Sequence, residues 1–324
     1  MHYTTLGRTG MRVSVAGFGC GGFSRLGLGT GGDETGAIVI LRHAMDLGVN
    51  LFDTAASYGT ESVLGKAIKS VARDDAVICT KAPFRWSTGR ASPEGVVAAL
   101  DNSLKQLDTD HIDVYQLHGV PPANYAHARD ELVPVLLRER DKGKFRFLGL
   151  TETAPHDLSH ETLHQAAADG VWDVCMVGFS MMHQNARERV FPVTRAHGVG
   201  TLLMFAVRNI FSQPGRLQAE LRQLAERGEV SAALAESDDP LGFLVHDGSA
   251  SSVVDACYRY VRHEPGVDVV LFGTGSTAHL KTNIDSLLKP KLPEADHRKI
   301  NELFGHLVGV GLDAPHLANV TAKS

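Results

Sequence analysis

One stretch of the sequence decides the fold: Gly48-Val49-Asn50-Leu51-Phe52-Asp53-Thr54-Ala55-Ala56-Ser57-Tyr58-Gly59. An amphipathic pattern over Thr35–Leu47 precedes it, and Gly48 is of the residue type that commonly ends a helix. The short apolar run that follows predicts a buried strand over Asn50–Ala55. A second helical pattern, Glu61–Val71, comes next. Such alternation of helix and apolar strand is typical of a parallel sheet covered by helices.

The same alternation continues along the chain and gives eight strand-helix units. The predicted strands are Val15–Cys20, Asn50–Ala55, Ala76–Lys81, Ile112–His118, Arg146–Thr151, Val174–Ser180, Gly200–Val207 and Val267–Gly273. The other predicted helices are Ser92–Leu107, Asp130–Lys142, His160–Ala168, Arg187–Ala196, Ser252–His263 and Ala278–Leu288. Eight units favour a closed (β/α)8 TIM barrel of the α/β class. An N-terminal β-hairpin over Tyr3–Val15 and a C-terminal helix over Glu294–Leu307 complete the prediction.

We expect a single domain over residues 1–324, because no linker or compositional break divides the chain. One connection is much longer than the rest. It runs from Asn209 to Ala250, between the seventh strand and its helix, and it contains a charged helical pattern over Leu217–Arg227. Connections of this length in compact domains are usually lids or binding segments, so residues 209–250 are predicted to form a lid-like loop.

Composition argues against several classes of protein. The chain is 43% hydrophobic and has a formal net charge of -5, so it can bury a large core and lacks the basic surface of a nucleic-acid binder. We find no leader pattern and no apolar run of the ~18 residues that a membrane span needs. The cysteines lie at scattered positions, namely Cys20, Cys79, Cys175 and Cys257. We therefore expect a cytoplasmic protein, with monomer as the default state and without metal, nucleic-acid or membrane partners.

Polar side chains end three successive predicted strands. Asp53, Lys81 and His118 hold these positions, and Tyr58 follows Asp53 on the loop above it. Active sites of such barrels lie at the carboxyl ends of the strands, so the four side chains are expected to converge. A free tyrosine has a pKa of about 10, and a neighbouring lysine cation lowers it. Asp53 can keep the lysine charged, and a neutral His118 imidazole can orient a substrate oxygen.

Several motifs of the chain resemble those of the aldo-keto reductase family. They are the stretch Gly48–Gly59, then Glu61-Ser62, Leu64-Gly65, Val77–Lys81, Asp113–His118 and Gly143–Gly149. The resemblance extends from the hairpin to Asn283 and implies a barrel enzyme that transfers hydride with a nicotinamide cofactor. It also implies a catalytic tetrad, in which Tyr58 is the general acid or base, made of Asp53, Tyr58, Lys81 and His118.

The resemblance places the phosphates of the cofactor near the last strands. Gly273-Thr274-Gly275-Ser276-Thr277 follows the eighth strand and opens a helix, where glycines permit close approach and the helix N-terminus attracts anions. The family often has a lysine or arginine here for the 2′-phosphate of NADP. In this chain His279 stands in that region, and Asn283 is shared with the family. The cofactor is therefore expected to be NADP or NAD.

Further cofactor contacts depart from the family pattern. Thr151-Glu152 stands where Ser-Asn commonly meets the carboxamide of the cofactor, and Phe179 is expected to stack on the nicotinamide. The full set of expected cofactor contacts is Asp53, Thr151, Glu152, Phe179, Gly273, Gly275, Ser276, His279 and Asn283.

Two other patterns resemble ligand sites but lack the necessary context. Gly17–Gly22 satisfies GxGxxG, but the next helical pattern begins only near Glu34, so we expect a loop that borders the nicotinamide and substrate rather than a Rossmann site. His156, His160 and His164 are spaced as on one face of a helix. No cysteine or acidic cluster completes a metal shell, so the sequence favours solvated histidines on the outer surface.

The sequence therefore predicts an NAD(P)-dependent oxidoreductase that moves hydride between a nicotinamide cofactor and an aldehyde, ketone, sugar carbonyl or alcohol. Two alternatives stay open: an NAD-linked aldose 1-dehydrogenase, and a non-catalytic relative that binds the cofactor and reports redox state to a partner. A third is a Schiff-base lyase that uses Lys81, since lysines in desolvated pockets can react with carbonyls. The pairing of Asp53 with Tyr58 fits hydride transfer better.

Overall fold

Eight parallel strands close into a barrel. A computed structural model describes residues 1–86, 89–154 and 156–312, and the barrel order is β3-β4-β5-β8-β9-β10-β11-β12. The strands are β1 Tyr3–Thr5, β2 Arg12–Ser14, β3 Ala16–Gly19, β4 Leu51–Asp53, β5 Val77–Pro83, β6 Arg85–Trp86, β7 Gly89–Arg90, β8 Ile112–His118, β9 Phe145–Thr151, β10 Val174–Gly178, β11 Gly200–Met204 and β12 Val269–Phe272. β12 pairs with β3, which closes the ring. The predicted (β/α)8 architecture with an N-terminal hairpin is confirmed.

Helices cover the outer side of the barrel. They are α1 Glu34–Asp46, α2 Glu61–Ile68, α3 Pro93–Leu107, α4 Tyr125–His127, α5 Val133–Asp141, α6 Glu161–Ala168, α7 Ala186–Arg189, α8 Phe191–His197, α9 Asn209–Ser212, α10 Arg216–Glu226, α11 Ala232–Glu236, α12 Val253–Arg262, α13 Thr277–Leu288 and α14 Glu294–Phe304. Hydroxyl caps fix several starts, as where Ser92 Oγ accepts from the Gly95 N–H at the start of α3. Across the described part of the chain, none of these helices has the length and apolar character to cross a membrane.

Two predicted helices differ from the observed ones. The pattern over Asp130–Lys142 belongs to a longer helix that begins at Tyr125 and passes through a π-turn at Ala128–Leu132. The predicted helix Arg187–Ala196 is broken into α7 and α8 at Val190. Pro192 accounts for this break, because it has no N–H to bond back into the preceding turn.

The N-terminal hairpin fills the amino-terminal end of the barrel. Leu6, Met11 and Val13 lie in one buried cluster with the side chains that point into the barrel, namely Leu51, Val77, Cys79, Val114, Val174, Met176, Leu202 and Val269. The fit is close, since a Cβ at Gly200 would lie 2.8 Å from Leu6 Cγ. In the part of the chain that the structure describes, these side chains close the amino-terminal end of the barrel.

The segment 209–250 is largely helical. It contains α9, α10 and α11, and α10 confirms the helical pattern predicted within it. The Gln218 amide bonds the carbonyls of Ala235 and Ser237, which joins α10 to α11. The His306 ring bonds the Glu229 carbonyl at 2.6 Å, which ties the segment to the end of α14. Its role as a lid stays a prediction.

Leu6→Ala should destabilise the protein by about 2–5 kcal/mol, because it leaves a cavity under the barrel where Leu6 is 0% exposed. Val39→Ala is the control, since Val39 is 52% exposed on α1 and should change stability by no more than about 0.5 kcal/mol. Urea unfolding of both variants measures the difference. Equal midpoints for the two variants would show that the hairpin is not part of the core.

Candidate active site

Four polar side chains meet at the carboxyl end of the barrel. Asp53 and His118 end β4 and β8, Lys81 lies near the end of β5, and Tyr58 ends the short turn after β4. Lys81 Nζ is 2.7 Å from both carboxylate oxygens of Asp53. The Tyr58 hydroxyl is 3.4 Å from His118 Nε2, and Lys81 Nζ lies 5.1 Å from the centre of the Tyr58 ring. The structure thus brings together the four residues that the sequence singles out.

The turn that carries Tyr58 is held at both ends. Thr54 and Thr60 bond to each other through their hydroxyls at 2.9 Å, across the base of the turn. Glu61, the first residue of α2, accepts a hydrogen bond from the Thr80 hydroxyl at 2.6 Å. Since these side chains are buried, the turn is fixed against β5 and Tyr58 has a defined position over Lys81.

The Lys81 ammonium is fully buried, and three hydrogen bonds use its three donors. Two go to Asp53 and the third goes to the Thr54 carbonyl at 2.7 Å. Burial alone lowers the pKa of Lys81, but Asp53 and Tyr58 more than offset this, so that pKa is raised. Burial raises the pKa of Asp53 despite the opposing effect of Lys81. The lysine therefore stays charged at neutral pH.

The pKa of Tyr58 is raised, not lowered. Burial raises it most, Lys81 lowers it, and the Asp53 carboxylate raises it again. Lys81 thus lowers this pKa as the sequence predicts, but the burial of the phenol, which the sequence does not reveal, outweighs the lysine. At neutral pH Tyr58 is a protonated phenol beside a cation, and this form can donate a proton.

The glycine-rich segment Gly17–Gly22 borders this site. A Cβ at Gly21 would lie 2.5 Å from Cε2 of Tyr58, so only glycine fits beside the ring. No Rossmann helix follows, since a 3₁₀ segment over Arg25–Thr30 precedes α1. The segment after β3 thus lies beside Tyr58, and its contact with nicotinamide and substrate stays a prediction.

The predicted phosphate loop follows β12, which lies beside β3. Ser276 caps α13 by accepting from the His279 N–H, so Gly273, Gly275 and Ser276 lie at a helix N-terminus. A Cβ at Gly275 would lie 2.6 Å from Gly27 Cα, which means that the 3₁₀ segment crosses this loop.

The helix after this loop carries the remaining predicted phosphate contacts. His279 is exposed and Asn283 is buried on α13. Lys281, a possible partner for a 2′-phosphate, forms a 2.6 Å ion pair with Asp285 one turn further on.

Phe179 does not lie at the barrel mouth. Residues of a strand alternate between its two faces, and Phe179 follows β10 on the outer face. It is fully buried and packs on Phe191 and Tyr260 of the helical layer. This placement runs against the expected stacking on nicotinamide.

The aromatic residue at the inner edge is Phe205, which follows β11. A Cβ at Gly178 would lie 3.1 Å from its ring. Phe205 has φ of 74°, a strained value for a residue with a side chain, and the Arg208 guanidinium lies 4.4 Å from the ring centre. The sequence does not predict this position for Phe205, because a positive φ at an aromatic residue has no recognisable sequence signal.

Thr151 and Glu152 end the barrel strand next to His118. The Thr151 hydroxyl accepts from the Gly119 N–H at 2.7 Å and so fixes the chain just after His118. The Glu152 side chain takes no part in the contact between Thr151 and Gly119. Its carboxylate accepts from the Gly178 N–H at 2.6 Å and lies 2.6 Å from His160 Nδ1.

The three histidines do not share a helix face. α6 begins at Glu161, and His160 precedes it with φ of 55° and a fully buried ring. The expectation that all three histidines are solvated is therefore wrong for His160, because Glu152 compensates its burial. His156 and His164 are exposed. Within the described ranges, no group of three or more potential metal ligands is found.

The fold and this site define a class: a barrel enzyme with a tyrosine, lysine, aspartate and histidine at its mouth. A model of the aldo/keto reductase family matches residues 17–304. The chain belongs to this family. Its members are oxidoreductases that use nicotinamide cofactors and act on small carbonyl substrates, so the predicted family and enzyme class are confirmed.

Relatives cover most of the chain. Aldo-keto reductase YhdN of Bacillus subtilis is 27% identical and covers 95% of each chain. L-galactose dehydrogenase of Arabidopsis thaliana is 32% identical over 207 residues, 61% of this chain and 62% of its own. The holo form of aldo-keto reductase AKR11C1 from Bacillus halodurans has the same fold, with a TM-score of 0.72, 23% identity, and coverage of 97% of this chain and all of that one.

Gly21→Ala should lower kcat by about 10- to 100-fold, because the added methyl displaces the Tyr58 ring from its position. Gly19→Ala is the matched control, since a Cβ there has its nearest neighbour at 3.5 Å. Steady-state turnover of both variants at saturating cofactor measures the effect. Wild-type kcat in Gly21→Ala would mean that the position of Tyr58 does not limit turnover.

The raised pKa of Tyr58 predicts a flat pH profile for reduction. If Tyr58 is the proton donor, the protonated phenol is the required form, so reductive kcat should be constant from about pH 6 to 9 and fall only in more alkaline solution. Oxidation needs the phenolate, so oxidative kcat should rise as the pH increases from about 6 to 9. Stopped-flow turnover in both directions measures the two profiles. A reductive profile that falls near neutral pH would assign the acid to another group.

Proposed function

We propose that this chain is an NAD(P)-dependent oxidoreductase that uses Tyr58 as its general acid and base. The observation that carries the proposal is the arrangement of Tyr58, with its hydroxyl 3.4 Å from His118 Nε2 and its ring over the Lys81 cation. The substrate is an aldehyde, a ketone, a sugar carbonyl or the corresponding alcohol.

The residues of the site supply the proton side of the reaction. When bound, the nicotinamide cofactor supplies or takes up the hydride. Tyr58 donates its hydroxyl proton to the substrate oxygen during reduction and takes it back during oxidation. Lys81 stabilises the phenolate left behind, and Asp53 holds that lysine charged. His118, beside the Tyr58 hydroxyl, orients the same substrate oxygen.

The mouth of the barrel fits a nicotinamide cofactor. Gly21 and Gly178 allow Tyr58 and Phe205 to pack closely against the ends of the strands, because a side chain at either glycine would meet these rings. The loop with Gly273 and Gly275 presents a helix N-terminus, which suits the cofactor phosphates. Thr151 and Asn283 are the remaining candidates for polar contacts.

The contacts of Lys81 argue against a Schiff-base lyase. A nucleophilic amine must be neutral and able to reach the substrate carbonyl. Lys81 is fully buried, and all three of its donors are bonded to Asp53 and Thr54. Hydride transfer therefore fits the site better.

A second candidate is NAD-linked oxidation of an aldose. The sugar dehydrogenase among the relatives supports it, as does the first turn of α13, Thr277 to Leu280, which contains no lysine or arginine. Oxidation of an aldose panel with NAD and with NADP, set against reduction of simple aldehydes, separates this candidate from a general carbonyl reductase.

Tyr58→Phe should lower kcat by about 10²- to 10⁴-fold while the Kd of the cofactor stays within about threefold of wild type, because the variant removes only the proton donor. Fluorescence titration with NADPH and with NADH measures binding, and turnover is followed at the nicotinamide absorbance. Tyr3→Phe is the matched control, since its hydroxyl bonds the Gly48 carbonyl at the other end of the barrel. If wild type binds neither cofactor, the proposed function is wrong.

A further inference from the structure

A second buried ion pair lies beside the site and has no part in the proton chemistry described above. Glu152 and His160 have fully buried side chains, with 2.6 Å between the Glu152 carboxylate and His160 Nδ1. The other oxygen of Glu152 accepts from the Gly178 N–H. Burying two charges has a large desolvation cost, so such a pair needs good geometry and satisfied hydrogen bonds to be stable.

The hydrogen bonds around His160 require both of its ring nitrogens to be donors. The Asn185 amide nitrogen donates to the Leu158 carbonyl at 2.6 Å, so its oxygen faces His160 Nε2 and accepts from it at 3.1 Å. Nδ1 faces the Glu152 carboxylate, which also accepts. A histidine that donates from both nitrogens is an imidazolium, so the pair consists of an anion and a cation.

The neighbouring groups influence both members of the pair. Burial raises the pKa of Glu152, and His160 and the Gly178 N–H oppose this effect. Burial lowers the pKa of His160, but Glu152 outweighs it and that pKa is raised. Asp157, which caps α6, adds a further negative charge nearby. His183 packs 5.0 Å away, and burial together with the His160 charge lowers its pKa to about 3. His183 is therefore neutral, and its Nδ1 accepts from the Gly309 N–H.

The two members of the pair lie in different layers of the barrel. The Thr151 carbonyl accepts a hydrogen bond from the backbone N–H two residues after His118, so Thr151 is level with His118 on the adjacent strand. Glu152 therefore lies one residue further towards the carboxyl end of the barrel. The carboxylate contacts the end of β10 at Gly178 and lies close to Phe205. His160 lies at the start of α6, in the outer layer. The carboxylate of the pair thus lies at the carboxyl ends of the barrel strands, and the imidazolium lies in the outer layer.

We propose that Glu152, held by His160, makes this site bind the oxidised nicotinamide more tightly than the reduced one. The inference rests on the proposed function. The oxidised ring carries a positive charge and the reduced ring does not, so a buried carboxylate on the mouth side stabilises only the oxidised form. Glu152 is the specificity-determining residue, and His160 is the positioning residue that keeps it ionised and oriented.

Glu152→Gln tests the proposal with little change of shape. The amide oxygen can accept from the Gly178 N–H, and the amide nitrogen can donate to Nδ1 of a neutral His160, so each buried group keeps a partner. Glu161→Gln is the matched control. It removes the same charge from the first turn of α6, where Glu161 is 45% exposed and pairs with Arg189.

The measurement is the Kd of the oxidised and of the reduced cofactor for wild type and both variants, with ADP-ribose as a probe that lacks the nicotinamide. In Glu152→Gln the ratio of the oxidised to the reduced Kd should rise by about three- to tenfold, because His160 cancels only part of the field. The Kd of ADP-ribose should not change, and Glu161→Gln should match wild type. An unchanged ratio in Glu152→Gln overturns the inference alone, whereas failure of wild type to bind any nicotinamide cofactor overturns the proposed function as well.

A second measurement does not depend on the stability of a variant. In the wild-type protein, sequence-specific ¹⁵N signals of His160 should show an imidazolium at a pH well above the ordinary histidine pKa of about 6.5. A neutral His160 ring at neutral pH would show that no ion pair exists and would overturn the inference.

Discussion

The buried pair of Lys81 and Asp53 is the interaction on which the site depends. It joins β5 to β4 and, through the Thr54 carbonyl, fixes the turn that carries Tyr58. Loss of either partner would leave an unpaired charge in a dry environment, which costs about 3–5 kcal/mol. In the proposed mechanism the same ammonium is the cation that stabilises a phenolate at Tyr58. Stability and the proposed proton transfer would then depend on one contact, and a substitution there would affect both.

The two ends of the barrel differ in how side chains fill them. Leu6 and its neighbours in the hairpin fill the amino-terminal end. At the carboxyl end, Gly21 and Gly178 allow close packing: the place of a Cβ is taken by the Tyr58 ring at Gly21 and is crowded by the Glu152 carboxylate and Phe205 at Gly178. The two glycines thus let the polar site residues and Phe205 pack closely at the mouth.

Most of the fold and the four site residues could be predicted from the sequence, because apolar periodicity and strand-end position are local properties. The strand Ile112–His118 is observed with the predicted bounds, and Asp53 ends its strand. The sequence predicts that Phe179 stacks on the nicotinamide, but Phe179 packs in the helical layer and Phe205, which follows the next strand, lies beside Gly178. The spacing of the three histidines predicts solvated rings, but His160 is buried because it pairs with Glu152. Such errors arise where a residue's environment is set by a neighbouring strand.

The two ion pairs act on different parts of one reaction. Near neutral pH the raised pKa of Tyr58 keeps it protonated, and this alone favours reduction. The Glu152 carboxylate acts on the hydride side. On the proposal above it stabilises the oxidised cofactor in the site, which makes the bound reduced cofactor a stronger hydride donor. Near neutral pH both effects therefore favour reduction. As the pH rises, the phenolate form of Tyr58 that oxidation needs becomes available, whereas the carboxylate of Glu152 still acts in the opposite direction.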